Sequence, residues 1–245
     1  TRFAEQDSFV YLIWFGGLSE LLRYDENKLP ADYAEQIQKK SIELLAFVQD
    51  YKTENQDRLN RLRSAFEWAA KQTTDVSEKL FYHETALKFF TQGQSVNPAA
   101  WTFPVYATNV LMAMAKIYQQ QQDIEKVIEL FETGKGIFAK NTHPNDFQLV
   151  IYWGDFLIEY ARLAHNFQLP EILQEAEGKL IIAKEQGQQF YSHPYLSLAK
   201  VALKLGDKTK CMSILQECQT LFGKYYDRHL ALEDEDFREV WPELG

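Results

Sequence analysis

Four offsets recur in the second half of this chain. Leu111, Met114, Ala115 and Tyr118 stand at offsets of zero, three, four and seven. Tyr160, Leu163, Ala164 and Phe167 repeat that spacing, and so do Tyr195, Leu198, Ala199 and Ala202. The spacing places each set on one face of an α-helix. The third slot is alanine every time, which is what close helix–helix contact requires, because a larger side chain would hold two backbones apart. Twelve residues after each alanine come Val127, Ala176 and Cys211. Steps of four and seven from these reach Phe131 and Gly134, Leu180 and Ala183, and Leu215 and Cys218. Polar or helix-breaking runs lie between the two sets: QQQQD at 119–123, NFQLP at 166–170 and LGD at 205–207. The unit is a helix hairpin, and it recurs.

The slot pattern resembles the tetratricopeptide repeat, a helix–turn–helix unit of about 34 residues with a small residue at fixed places in both helices. Tyr160 and Tyr195 are 35 residues apart, whereas Leu111 and Tyr160 are 49 apart, so the earlier interval holds longer helices or an inserted segment. YHETALKFFTQGQSVNP also fits a second helix, through Ala86, Phe90, Gly93 and Pro98. Its first helix does not fit, because Ala70, Thr73, Thr74 and Ser77 would fill the slots and KQTTDVS reads as a turn. The good resemblance covers residues 104–222. It implies an all-α fold, a right-handed α-α superhelix of about five hairpins closed by a C-terminal capping helix. Residues 1–95 are expected to form divergent hairpins, and 96–245 the clear repeats with an acidic cap, in one continuous solenoid. Helices are expected at 4–24, 30–51, 55–72, 76–94, 101–121, 123–140, 146–166, 170–187, 193–205 and 208–224, with a short one near 234–242. Pro30, Pro98, Pro144, Pro170 and Pro194 fall at or just before helix starts, where a missing N–H is harmless.

Charge and composition narrow the function. The 245 residues carry a net charge of −9, which argues against a phosphate-backbone binder and so against a nucleic-acid partner. Arg58, Arg61 and Arg63 form a local basic exception, read here as a solvated helix face. The longest apolar run, FVYLIWFGGLSELL at 9–22, is shorter than the roughly 20 residues of a membrane span and contains Gly16, Gly17, Ser19 and Glu20, so a buried N-terminal helix is expected. If helical, Cys211 and Cys218 lie about 10.5 Å apart along the axis, too far for a disulfide. Reduced core thiols and a cytoplasmic location follow as expectations. The chain begins at Thr1 without a methionine, as a processed form or a piece of something longer would.

No phosphate loop, dinucleotide fingerprint, zinc-helix or nucleophile-elbow motif is present. GKGIF at 134–138 has two glycines and a lysine, which helix-end glycines explain. His143 and His193 precede prolines, the context of a helix start, and neither cysteine has a histidine at metal-ligand spacing. No catalytic residue, metal or cofactor is therefore expected, and no enzymatic activity.

One constellation suggests a site. The residue after the small slot is Lys116, His165 and Lys200 in three successive copies. The family resemblance implies that this position faces the concave groove of the superhelix. Lys204, one turn on, should face the same way, as should Asn109, Met112 and Gln119 in the first clear copy. A basic row in an acidic protein favours an acidic peptide or carboxylate. The family's carboxylate clamp is not reproduced, since Met112, Ala161 and Leu196 occupy one of its lysine positions. Abundant aromatics, among them Trp101, Tyr106, Tyr152, Trp153 and Tyr160, are expected mainly in the core. The C-terminal LEDEDFREVWPEL sets six acids against one arginine and aligns Phe237, Val240, Trp241 and Leu244 on one face. It reads as an end cap, or as a tail that docks into a groove of its own chain or of a second copy. The expected function is a non-catalytic scaffold that holds a protein or peptide segment. The alternatives are a peptide-sensing regulatory module of a larger protein and, less favoured, an all-helical enzyme.

Overall fold

The computed structural model of the protein describes residues 31–100, 102–141, 146–164, 169–187, 191–223 and 235–240. The expected helix at 4–24, its apolar run, Trp101, His143, His165 and the tail residues beyond Val240 lie outside the described residues. Within them the fold is all-α. Its helices are α1 (Ala31–Leu45), α2 (Gln56–Gln72), α3 (Val76–Val96), α4 (Thr102–Gln120), α5 (Ile124–Asn141), α6 (Phe147–Leu163), α7 (Leu169–Gly187), α8 (His193–Lys204) and α9 (Lys208–Phe222), followed by a 3-10 turn at Glu235–Val240. Seven of the nine expected spans hold to within two residues. The exceptions are α1, which gives way to turns at 46–50, and α6, which ends at Leu163. The chain forms two compact units, Thr1–Ile117 and Tyr118–Gly245.

The helix starts are written in acidic and amide caps. Asn55, Asp75, Asp146 and Asp207 each accept a hydrogen bond from the backbone N–H three residues on, as does Asp123 at the head of α5. Each such cap stabilises its helix by about 1 kcal/mol. In the first unit, α2 and α3 are joined through 73–75, where the sequence reads as a turn. Phe66 of α2 stacks on Phe89 of α3 at 5.7 Å. Ala86, Phe90 and Gly93 are all buried on α3, as their slots require.

Two connections in the second unit share one turn chemistry. After α4, Gln122 takes a positive φ of 62° while its N–H bonds to the Gln119 carbonyl and the Asp123 N–H to that of Tyr118. After α8, Gly206 at 83° and Asp207 make the same pair of bonds to Leu203 and Ala202. Both left-handed residues stand seven after the repeat alanine, and an aspartate cap follows at eight. The middle copy departs from this. Glu171 and Ile172 fill those two positions and lie inside α7, and Ala164 itself closes α6 with its N–H on the Tyr160 carbonyl. Ala115, Ala164 and Ala199 are all buried, yet the expectation that they occupy equivalent crossings needs correction: the second stands at a helix end. The tight place on α6 is Gly154, whose missing Cβ leaves room for Leu180 of α7.

Aromatic rings fill the contact between α5 and α6. Phe131 stacks on Tyr160 at 4.4 Å and 3°, Phe138 stacks on Trp153 at 5.8 Å, and Phe156 lies against both phenylalanines. Phe156 also seats on Gly134, where any Cβ would run into the ring. The second helices α5, α7 and α9 are laced by Lys135–Glu175 at 2.9 Å, Lys184–Glu217 at 2.6 Å and Lys210–Glu177. Half-exposed pairs of this kind contribute at most about 1 kcal/mol each. GKGIF is not a helix end, since Gly134 and Gly136 both lie inside α5. One is there for packing and the other meets nothing within 4 Å. Gly134→Val is therefore expected to destabilise the protein by about 1–3 kcal/mol through overpacking. Gly136→Ala should instead stabilise it by about 0.5–1 kcal/mol through helix propensity. Denaturant midpoints for the two variants check the contrast.

Candidate functional site: a basic helix face and the segment seated on it

The helix α8 starts with His193 and Pro194, and positions 193, 197, 200 and 204 then fall on one face by the spacing of four, three and four. That face meets α6. His193 Nε2 lies 2.6 Å from Asp155 Oδ2, and Ser197 Oγ donates to Asp155 Oδ1 at 2.6 Å. Asp155 thus pins two turns of α8 with one carboxylate. Further along α6, Arg162 grips Glu159 with two parallel hydrogen bonds.

The C-terminal end of the α8 face is basic, and it is occupied. Lys204 Nζ donates to Asp236 Oδ1 at 2.9 Å, and Lys200 Nζ stands 3.8 Å from Asp236 Oδ2. Lys200 also lies 5.9 Å from the centre of the Phe237 ring. Both lysines and Asp236 are about a quarter to a third exposed. Phe237 and Val240 are fully buried in a cluster with Ala199 and Ala202 of α8 and Cys211 and Leu215 of α9. The alanines leave the space that the phenylalanine fills. Arg162 has its guanidinium held above the ordinary range first by Glu159, and the charge of Asp236 adds to this.

The other expected site residues are distributed as follows. Asn109 and Lys116 are exposed on α4, Met112 is half-buried, and all three lie in the first unit; Gln119, also half-buried, lies in the second. Lys200 and Lys204 come together on a single carboxylate. The arginine cluster does not act as one face. Arg58 donates to the Tyr51 hydroxyl at 2.8 Å and lines a cleft of about 820 Å³ with Lys52, Glu54 and Gln92. Arg61 is exposed. Arg63 lies 3.9 Å above the Tyr106 ring, which is itself stacked on Phe90, a cation–π contact rather than a solvated charge. Of the aromatics, Trp153 and Tyr160 are core, while Tyr106 and Tyr152 are more than a third exposed.

Serine, histidine and aspartate do meet here, but in an order that makes no nucleophile. Ser197 and His193 each bond the carboxylate and the serine lacks the imidazole as its base, as an activated hydroxyl would need. Burial pushes both cysteine thiols up to about 11, so neither is a reactive thiolate, and both are free. Among the described residues no group of three or more His, Cys, Asp or Glu is placed to hold a metal ion, and no helix is long and apolar enough to cross a membrane. Sequence reasoning missed Asp155 and Ser197. The face running from His193 to Lys204 was there to be read in the spacing; its partner on α6, 38 residues before His193, was not.

The bond to Asp155 raises the pKa of His193 above its usual 6.5, against partial burial and the nearby charge of Lys200. A raised folded value means the contact stabilises fully below the unfolded pKa and is lost as pH climbs through the folded one. The His193 ring resonances should titrate with a midpoint above 6.5, and Asp155→Asn should bring that midpoint down. An NMR titration of both proteins checks this, together with stability measured from pH 6 to 8.

A scan against known protein families gives no match, and no curated protein matches the sequence. Solved structures with similar arrangements include MamA (AMB-1), at a TM-score of 0.39 and 14% identity over 75% of this chain and 89% of that one. BtubC from P. vanneervenii gives 0.38 and 10% over 91% and 92%. The human IFIT1 dimer with m7Gppp-AAAA gives 0.37 and 13% identity, covering 94% of this chain, which spans 60% of that one. The functional reading therefore rests on the residues of this chain.

Proposed function

We propose that the protein is a non-catalytic interaction scaffold whose first-helix face captures an acidic segment of a partner protein. The observation that supports it is the pair Lys200 and Lys204 converging on one carboxylate beside an apolar cluster in which Phe237 and Val240 pack on Ala199, Ala202, Cys211 and Leu215. Two ammonium groups beside apolar walls favour a ligand that presents an acid next to an apolar anchor. The exposed Lys116 and Asn109 on α4 offer a second polar surface in the first unit. The formal charge of −9 makes the lysine face an exception on an acidic protein, so an acidic ligand is attracted locally while basic proteins are drawn elsewhere.

The test is a titration of the full chain with labelled peptides of about twelve residues in acidic, neutral and basic sets, each carrying one phenylalanine. Acidic peptides should bind preferentially and lose affinity as salt rises. Lys200→Glu with Lys204→Glu should weaken that binding by at least about tenfold, which is about 1.4 kcal/mol, while helicity stays unchanged. Equal binding of the three sets, or no effect of the double reversal, would place the binding surface elsewhere.

A further inference from the structure

We infer that residues 235–240, EDFREV, are a built-in pseudo-ligand of this site, and that a partner must present the same pattern: an acid followed at once by an aromatic residue, with an aliphatic residue three further on. The inference rests on the scaffold reading above and names the ligand chemistry of that site.

A segment that merely closed the apolar end of the array would need Phe237 and Val240 and nothing more. The observed segment does more. Its Asp236 accepts from Lys204 at 2.9 Å and stands 3.8 Å from Lys200, and Arg162 of the preceding hairpin adds its positive charge. The segment recruits the charges of the face as well as its apolar wall. Its other charged residues, Glu235, Arg238 and Glu239, are exposed, and Glu235 and Arg238 pair with each other at 3.4 Å within the segment. The receptor half is equally selective. Ala199 and Ala202 are the small residues of α8, and they open the space that Phe237 fills between α8 and α9. On the α6 side, Asp155 and Glu159 are carboxylates matched to His193 and Arg162, so a second acid is unfavourable there. An acidic ligand is therefore held in one register, its acid on Lys200 and Lys204 and its ring in the alanine-lined pocket.

The described segment is six residues of 3-10 helix. Being tethered, it competes with an outside ligand at an effective concentration on the order of millimolar. Where the free segment binds the open site with a Kd of tens of micromolar, tethering masks the site from an outside partner by about 10- to 100-fold. The contact is autoinhibitory until a tighter or more abundant segment of the same pattern displaces it.

The experiment uses the full chain and a labelled peptide of its own residues 232–244. Full-length Phe237→Ala/Val240→Ala, with the tethered segment released, should bind the peptide at least about tenfold more tightly than the unmodified chain. The peptide lacking its acid and its ring at those two positions should not bind. Asp236→Lys is the second variant. It keeps the apolar residues in the chain and repels Lys200 and Lys204, so it should also unmask the site. Equal peptide affinity for the released, Asp236→Lys and unmodified chains, still lost on reversing the two lysines, overturns self-occupancy and leaves the acidic-segment reading standing. Failure of the released and Asp236→Lys chains to bind this peptide, while other acidic peptides bind, overturns the recognition pattern alone. Absence of binding to any acidic peptide by all forms overturns both.

Discussion

Close approach of helix backbones is the constraint on which this structure depends. Where α5 meets α6, Gly134 lets the Phe156 ring lie on the helix surface; where α6 meets α7, Gly154 does the same for Leu180. Dispersion attraction falls steeply with distance, so a single interposed methyl at such a place forfeits contacts along the whole seam. The pairs Phe131–Tyr160 and Phe138–Trp153 stack across the α5–α6 contact in which Gly134 admits the Phe156 ring. The lysine-bearing face of α8 inherits the same logic. Ala199 and Ala202 are small for the sake of a neighbour, and that neighbour is Phe237.

Much of the fold was legible because helix periodicity and cap chemistry act locally. The slot pattern and the prolines near the helix starts located the hairpins, and the caps at Asn55, Asp75, Asp123, Asp146 and Asp207 are the local chemistry behind five of those starts. What could not be read was the phase of the middle copy. Seven residues after Ala164 the chain offers no left-handed residue and no cap, so α7 runs through that position and the turn falls earlier. Two turn residues decided it, and pattern matching on apolar slots passes over turn residues. GKGIF was misread for a related reason. Gly134 and Gly136 read as helix-end glycines, yet both lie inside α5, and only the neighbouring Phe156 ring tells which of them is needed.

The site was half legible. Lys200 and Lys204 follow from repeat phase, and the charge of the tail was plain. That the two meet through Asp236 is a matter of tertiary placement. The two readings of the tail, end cap and docking element, turn out to describe different atoms of one segment: the ring of Phe237 and the carboxylate of Asp236. His193 was read correctly as the start of a helix. Its bond to Asp155 joins two hairpins and has no sequence signature, because the partners are 38 residues apart.

The two sides of the second unit are fastened by different means. The first helices α6 and α8 are pinned through Asp155, a short side chain that holds Ser197 and His193 at 2.6 Å. The second helices are joined by Lys135, Lys184 and Lys210, each reaching a carboxylate through four flexible methylenes. Short clasps resist strain, whereas long arms follow it. The spacing of α6 and α8 is therefore set by a two-point clasp on one short carboxylate, whereas that of the second helices is set by long side chains that can span a wider range of distances.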